Sequence, residues 1–361
     1  MIGSLAIAIP MLLAACAVAQ DEPRPVNADD IARAEAQDFL DGYVDSSGRV
    51  VRHDQGGDTV SEGQSYALLL AQVAGDTDAF GRVWEWTSAH LQRPDGLLAS
   101  HADAEQVIDE NPASDGDLVT AWALLRAEGP DAATYRREGR PIASAILERE
   151  TTSPPGPMLL AAGPWATGRP ATLNPSYWAL GAFDGLADET GDDRWRQLAA
   201  ASLSSTRAIS DGGRLLPPDW ARVDGDSVSA TSSPNGDPPH IQYGPDAQRL
   251  VVWLAASCDP AARRLAAAWH PMLSSPDRSG ALALSTEGEP LNTDSSPLSL
   301  VATAAAAGAA GDPDERDRLL AEAAALEDER PSYYGAAWVA LGHALLGTDL
   351  LGGCALEAAG R

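Results

Sequence analysis

One kind of turn punctuates this sequence and restricts what it can fold into. Gly75-Asp76-Thr77-Asp78, Gly191-Asp192-Asp193-Arg194 and Gly311-Asp312-Pro313-Asp314 share a composition, and Gly129-Pro130-Asp131 and Cys258-Asp259-Pro260 are looser versions. Glycine takes the left-handed position that ends a helix, aspartate caps the next helix, and proline fits its first turn. Each turn is therefore a tight junction between two helices. Counting outward from the turns predicts helices over 28–42, 62–74, 77–91, 115–128, 131–149, 174–190, 192–209, 244–257, 259–272, 294–309, 312–326 and 332–347. The first member of each hairpin is the more apolar, as in Ala67-Leu68-Leu69-Leu70 and Leu250-Val251-Val252-Trp253-Leu254. The second carries a polar face, as in Arg136-Arg137-Glu138 and Asp314-Glu315-Arg316-Asp317-Arg318. A helix apolar all round is buried on every side, and one with a polar face meets solvent. Five hairpins, with the first and last helices left to pair with each other, read as an all-α fold. The architecture is an (α/α)6 barrel of about twelve helices, an inner ring wrapped by an outer one. Strand signals are sparse, and Gly48-Arg49-Val50-Val51-Arg52 and Gly213-Arg214-Leu215-Leu216 are the candidates for short strands in loops.

The N-terminus reads as a targeting segment. Ile2 to Ala19 is apolar and small before Gln20-Asp21-Glu22-Pro23 turns polar, and it is short for a membrane span. Two exits are written in it. Leu13-Ala14-Ala15-Cys16 resembles a bacterial lipobox, which would place a lipid anchor at Cys16, and Ala17-Val18-Ala19 resembles a signal-peptidase site. Residues 1–20 are thus a leader and 21–361 a single domain, exported to the periplasm, the outer membrane or the medium. The formal charge of −27, with no lysine and 25 arginines, repels nucleic acid and anionic membranes and suits a neutral or cationic substrate. Cys258 and Cys354 lie far apart and are read as making neither a disulfide framework nor a metal site. The six histidines show no metal-ligand spacing, and no phosphate loop or serine elbow appears. No metal and no cofactor are expected, and the chain is expected to be a monomer.

The longest predicted loops, roughly 92–114, 150–173 and 210–243, all precede inner helices, so one end of the barrel is plain and the other decorated. Loops of that length in a compact domain are usually functional. Polar clusters open the inner helices at the decorated end: Thr59 to Tyr66 with Glu62, Ala113 to Asp117 with Asp115, Asn174 to Tyr177, and Tyr243 to Arg249 with Asp246. Parallel inner helices bring these carboxylates to one rim. Glycoside hydrolysis needs such a pair, one acid to protonate the leaving oxygen and one base to activate water. A structural reading competes: Glu62 with Thr59 forms a capping box, and Asp115 and Asp246 are ordinary helix caps. Recurrence tips the balance, because caps do not also require Gln64, Tyr66, Asn174, Tyr177 and Arg249 beside them. Like charges raise one another's pKa, so the expectation is that Glu62 stays protonated near neutrality because its neighbours are ionised.

These clusters resemble glycoside hydrolase family 8. The stretch Ala113-Ser114-Asp115-Gly116-Asp117-Leu118-Val119-Thr120-Ala121-Trp122 is similar to its signature block, with Thr120 where Ile or Met is usual. Thr59 to Tyr66 is similar to its general-acid motif, and Asn174-Pro175-Ser176-Tyr177, Leu216-Pro217-Pro218-Asp219-Trp220 and Tyr333-Tyr334 fit in order over about residues 38–348. The resemblance implies an (α/α)6 barrel and an inverting endo-β-1,4-glucanase acting on cellulose or a related β-1,4-linked polysaccharide. The chain resembles the small periplasmic endoglucanases that accompany bacterial cellulose synthesis. It implies that Glu62 is the general acid, that Asp246, in a D-A-x-R pattern completed by Arg249, is the base, and that Asp115 holds the sugar at the point of cleavage. Gly244-Pro245 departs from the family pattern just before the base. A xylanase or chitosanase, or a non-catalytic glycan-binding lipoprotein, are the alternatives on the same scaffold. Trp84, Trp86, Trp122 and Trp253 lie within helices and read as core, while Trp165, Tyr177, Trp220, Tyr333 and Tyr334 lie on the rim as candidates for stacking on sugar.

Overall fold

The computed structural model describes residues 27–152, 154–354 and 356. The expected leader, with Cys16, lies outside the described residues. Among the described residues twelve α-helices follow the junctions that the turns mark: α1 (Ala28–Tyr43), α2 (Ser61–Ala74), α3 (Thr77–His90), α4 (Ser114–Leu125), α5 (Ala132–Arg149), α6 (Leu180–Thr190), α7 (Arg194–Ile209), α8 (Pro245–Ala256), α9 (Pro260–Leu273), α10 (Pro297–Ala309), α11 (Pro313–Glu329) and α12 (Tyr333–Gly347). The junction chemistry is as read. Gly75, Gly191 and Gly311 sit at φ of 75°, 72° and 87°, and Asp76 and Asp312 accept from the N–H groups of Ala79 and Glu315.

The even-numbered helices close a ring. α2 packs on α4, α4 on α6, α6 on α8, α8 on α10, α10 on α12, and α12 returns to α2. The odd-numbered helices wrap it, and α1 packs on both α12 and α2, so the first and last helices seal the barrel. Every residue of α4 is buried, as a helix enclosed on all sides requires. Trp84, Trp86, Trp122 and Trp253 are all in the core, as expected.

Three expectations need correction. The sixth helix starts at Leu180, not at 174. Pro175–Tyr177 forms a 3-10 turn instead, because Asn174 Oδ1 accepts from the backbone N–H and the hydroxyl of Ser176. The strands fall elsewhere than predicted. Residues 48–52 make only isolated bridges, and Asp211–Gly213 is a 3-10 turn. The rim carries two three-stranded antiparallel sheets: β1 (Thr59–Val60), β2 (His101–Asp103) and β3 (Gln106–Asp109), then β4 (Ala171–Leu173), β5 (Trp220–Asp224) and β6 (Ser227–Thr231). Finally, Cys258 and Cys354 are joined as a disulfide, with Cα atoms 5.2 Å apart. Their 96-residue separation in sequence says nothing about space, because α8 and α12 touch and both cysteines follow helices that end at the plain face.

Candidate active site

Three inner helices each present a carboxylate at their second residue. Glu62 stands there in α2, Asp115 in α4 and Asp246 in α8. The ring brings these starts together, and close approach is built into the sequence. A side chain at Gly116 would meet Ser61 Oγ at 2.5 Å, so the starts of α2 and α4 touch. A side chain at Gly63 would meet the Tyr333 hydroxyl at 2.8 Å, so only glycine lets that ring reach Glu62.

Arg249, one turn into α8 and only 2% exposed, ties the three acids together. Its Nη1 donates to Glu62 Oε2 at 2.6 Å and to Asp115 Oδ2 at 3.0 Å, and its Nη2 donates to Asp246 Oδ1 at 2.9 Å. Nη1 also reaches the Tyr66 oxygen at 3.0 Å, Nη2 reaches Ser176 Oγ at 2.7 Å, and the guanidinium lies 5.4 Å from the Tyr177 ring centroid. Asn174 Nδ2 donates to the second oxygen of Asp246 at 3.0 Å. The Tyr333 hydroxyl donates to Glu62 Oε1 at 3.3 Å, and its backbone N–H is held by Asp54.

None of the three acids serves as the helix cap that the competing reading required. Val60 and Ala113, the residues before α2 and α4, make no side-chain cap, and Thr59 donates its hydroxyl to the Val50 carbonyl instead. Gln64 points away from the cleft, accepting from Val50 N–H and donating to Thr87 Oγ1.

One guanidinium cannot neutralise three carboxylates. Burial is the largest influence on Glu62 and lifts its pKa to about 7; Arg249 opposes the rise, and Asp115 and Asp246 add to it. The direction is the one expected from the sequence, but the sequence argument put neighbouring charge first where burial leads. Asp115 is also raised, again by burial before anything else. Glu62 keeps 22% of its side chain open and Asp246 31%, while Asp115 has 8%. The two more open carboxylates thus meet different nitrogens of the guanidinium, and Asp115, the least open, shares Nη1 with Glu62.

The aromatic expectations divide. Trp165 is 50% exposed and anchored by its Nε1 donating to the Pro112 carbonyl, just before the Asp115 helix, so its face is free. Trp220 in β5, Tyr177 and Tyr334 are half-buried. Tyr333 corrects the stacking expectation. It is 1% exposed, packs edge-on against Tyr43 and lies 5.9 Å under the Arg52 guanidinium, so it serves Glu62 rather than a sugar face.

Sequence reasoning gave Asp219 no role. Buried, it accepts from the N–H groups of Gly244 and Ala247 at 2.8 Å each and from Gln242 Nε2, so it is the true cap of α8 and fixes the turn that carries Asp246. Burial and then Asp246 push its pKa up to about 7. An acidic residue between Pro-Pro and Trp in a long loop was the available signal.

An (α/α)6 barrel whose mouth holds an acid near neutrality, a second open carboxylate and a third, less open one defines a two-carboxylate hydrolase site of the kind that cleaves glycosidic bonds. The chain matches the model of glycosyl hydrolases family 8 over residues 8–342, and it belongs to that family. It is 33% identical over 233 residues to a probable endoglucanase of Novacetimonas hansenii, a match covering 60% of this chain and 64% of that one. It is 29% identical over 242 residues to an endoglucanase of Cellulomonas uda, covering 63% and 66%. The chain thus spans just under two thirds of the length of these curated relatives. Among solved structures it is similar to an endo-beta-1,4-glucanase from Acetobacter xylinum, with TM-score 0.69, 26% identity and coverage of 87% of this chain and 97% of that one.

Proposed function

We propose that the protein is an endo-β-1,4-glucanase that hydrolyses cellulose chains in one displacement with inversion. The observation that carries the reading is the pairing of Glu62, with its pKa near 7, and the open carboxylate of Asp246 across one guanidinium. The Glu62 carboxyl donates its proton to the glycosidic oxygen as the bond to the anomeric carbon breaks. Asp246 takes a proton from a water molecule whose oxygen attacks that carbon from the other face. Asp115, the least open, accepts hydroxyl hydrogen bonds from the sugar between them and holds it distorted. Trp165, Tyr177, Trp220 and Tyr334 line the path of the chain on either side. The substrate is supported by the glucanases among the relatives, and an uncharged polymer suits a strongly acidic surface. The mature protein works outside the cytoplasm. The Cys258–Cys354 pairing supports this, since such bonds persist in oxidising compartments.

Reducing-end release from soluble carboxymethyl cellulose, with xylan and chitosan alongside, tests the substrate. Release from the cellulose derivative at least about tenfold faster than from the others is expected, since specificity of this size needs only ~1.4 kcal/mol of transition-state discrimination. Faster release from xylan or chitosan would overturn the substrate and leave the mechanism standing. No release from any of the three by folded protein would leave a glycan-binding module.

A further inference from the structure

Behind the three acids lies a second acidic pair that the proposed mechanism does not use. Asp117 and Glu150 are both 0% exposed. Asp117 Oδ1 accepts from the Leu98 N–H at 2.7 Å, while Asp117 Oδ2 and both Glu150 oxygens meet no N–H or hydroxyl donor. The two carboxyl groups are in hydrogen-bonding contact with each other. Among the described residues no ion pair reaches either of them: Arg93, on which Asp117 acts at a distance, is committed to Asp95 and to the Glu110 carbonyl. The other charged groups facing the pair are Asp115 and Asp95, both acidic.

We propose that Asp117 and Glu150 share one proton and that this carboxyl–carboxylate pair is a positioning device for Asp115. Two buried carboxylates in contact with no cation cannot both be ionised. Their places in the fold say where the proton sits. Asp117 lies in the first turn of α4, where helix N–H groups favour negative charge, and it also holds the Leu98 N–H. Glu150 ends α5, where helix carbonyls disfavour it. Glu150 therefore carries the proton and donates it to Asp117 in a short, charge-assisted bond. Burial pushes the Glu150 carboxyl well above the ordinary range, and Asp117 adds to the rise.

The pair joins the segments that build the site. Glu150 leads into the 150–162 loop, where its carbonyl accepts from Ala161 N–H, and Ser114 binds the same stretch through Ala161 and Ala162 carbonyls. Leu98 leads to Ser100, whose carbonyl accepts from Ser61 N–H beside Glu62. One proton thus ties the start of α4, the end of α5 and the loop under α2, with Asp115 two residues away.

The sign of the pH dependence follows. In the unfolded chain Glu150 ionises near 4.5, whereas in the fold it keeps its proton well above that. The stabilisation is complete below the unfolded value and is lost as pH rises toward the folded one. In that interval the one extra bound proton costs the wild type about tenfold in its folding equilibrium per pH unit. Glu150→Gln keeps a donor for Asp117 and abolishes the titration. Urea unfolding at about pH 6, 7 and 8 should therefore show the wild type losing stability about tenfold per unit more steeply than Glu150→Gln. Glu62 and Asp219 titrate in the same window but equally in both proteins. An infrared band of a protonated carboxyl, persisting at about pH 8.5 in the wild type and absent from Glu150→Gln, is the direct signature. Equal slopes and an unchanged band would overturn the shared proton whatever the substrate proves to be. The positioning role rests on the hydrolase reading above. Glu150→Ala should lower kcat about tenfold to a hundredfold with KM little changed, and Glu150→Gln should restore most of it. An Ala variant as active as the wild type would remove the positioning role. Should the Ala variant not fold, the activity that Glu150→Gln recovers after exposure to alkali decides in its place, assayed on return to about pH 6 so that Glu62 is protonated in both proteins. Glu150→Gln should recover a larger fraction than the wild type, and equal recovery would contradict the proposal.

Discussion

Glu62→Gln should lower kcat about 10²- to 10⁴-fold on a β-1,4-glucan while leaving the protein folded, because a general acid supplies that much of the rate. Gln fills the same volume and can still face Arg249 and the Tyr333 hydroxyl, so substrate affinity should change little. The wild type should also lose activity as pH rises through about 7, since the proton that Glu62 must donate is lost there. The sign is set by burial, which favours the neutral form, against the single opposing influence of Arg249. The variant should lack this alkaline limb. A pH profile of kcat/KM for both proteins checks it. A limb that survives in Glu62→Gln, or a loss of less than about tenfold, would take the acid role away from Glu62.

Arg249→Ala should cost about 3–5 kcal/mol in stability, the scale for breaking a buried ion pair from one side. Here one removal strips Glu62, Asp115 and Asp246 together of their shared cation. Protonation of Glu62 and Asp115, which burial favours, offsets part of the loss at low pH. The deficit should therefore be smaller near pH 5 than near pH 8, where the acids that lost Arg249 would otherwise ionise. Urea unfolding at the two pH values gives the comparison. Arg249→Lys should recover only part of the stability and little activity, because one ammonium group cannot replace a fork whose Nη1 and Nη2 serve different acids. A deficit under about 1 kcal/mol at neutral pH would mean that the acids are not held by this residue.

Much of this molecule was legible because its signals are local. A Gly-Asp junction states its own geometry, and three copies of it with two variants suffice to count the hairpins. The convergence of Glu62, Asp115 and Asp246 was legible for a related reason: each sits at the second residue of a helix whose place in the ring follows from the count. What failed depends on partners distant in sequence. Tyr333 looks like a rim aromatic until α1 and Arg52 close over it. The rim strands are two to five residues long, too short for alternation to register, although Gly225-Asp226 between β5 and β6 is a hairpin turn that could have been found. The Cys258–Cys354 bond exists because α8 and α12 are neighbours across a closed ring. Glu150 carries no signal in the sequence and Asp219 only its place between Pro-Pro and Trp in a long loop, since their roles come from backbone N–H groups and a carboxyl supplied by other segments.

The central claim is that Glu62 and Asp246 act on opposite faces of one sugar, with Asp115 between them. The most direct measurement is the configuration of the newly formed reducing end, followed by proton NMR during the first minutes of hydrolysis of a β-1,4-gluco-oligosaccharide. The account predicts that the α-anomer appears first and then mutarotates. First appearance of the β-anomer would require a covalent intermediate on one of these carboxylates, and would contradict the assignment of Asp246 as the base that activates water.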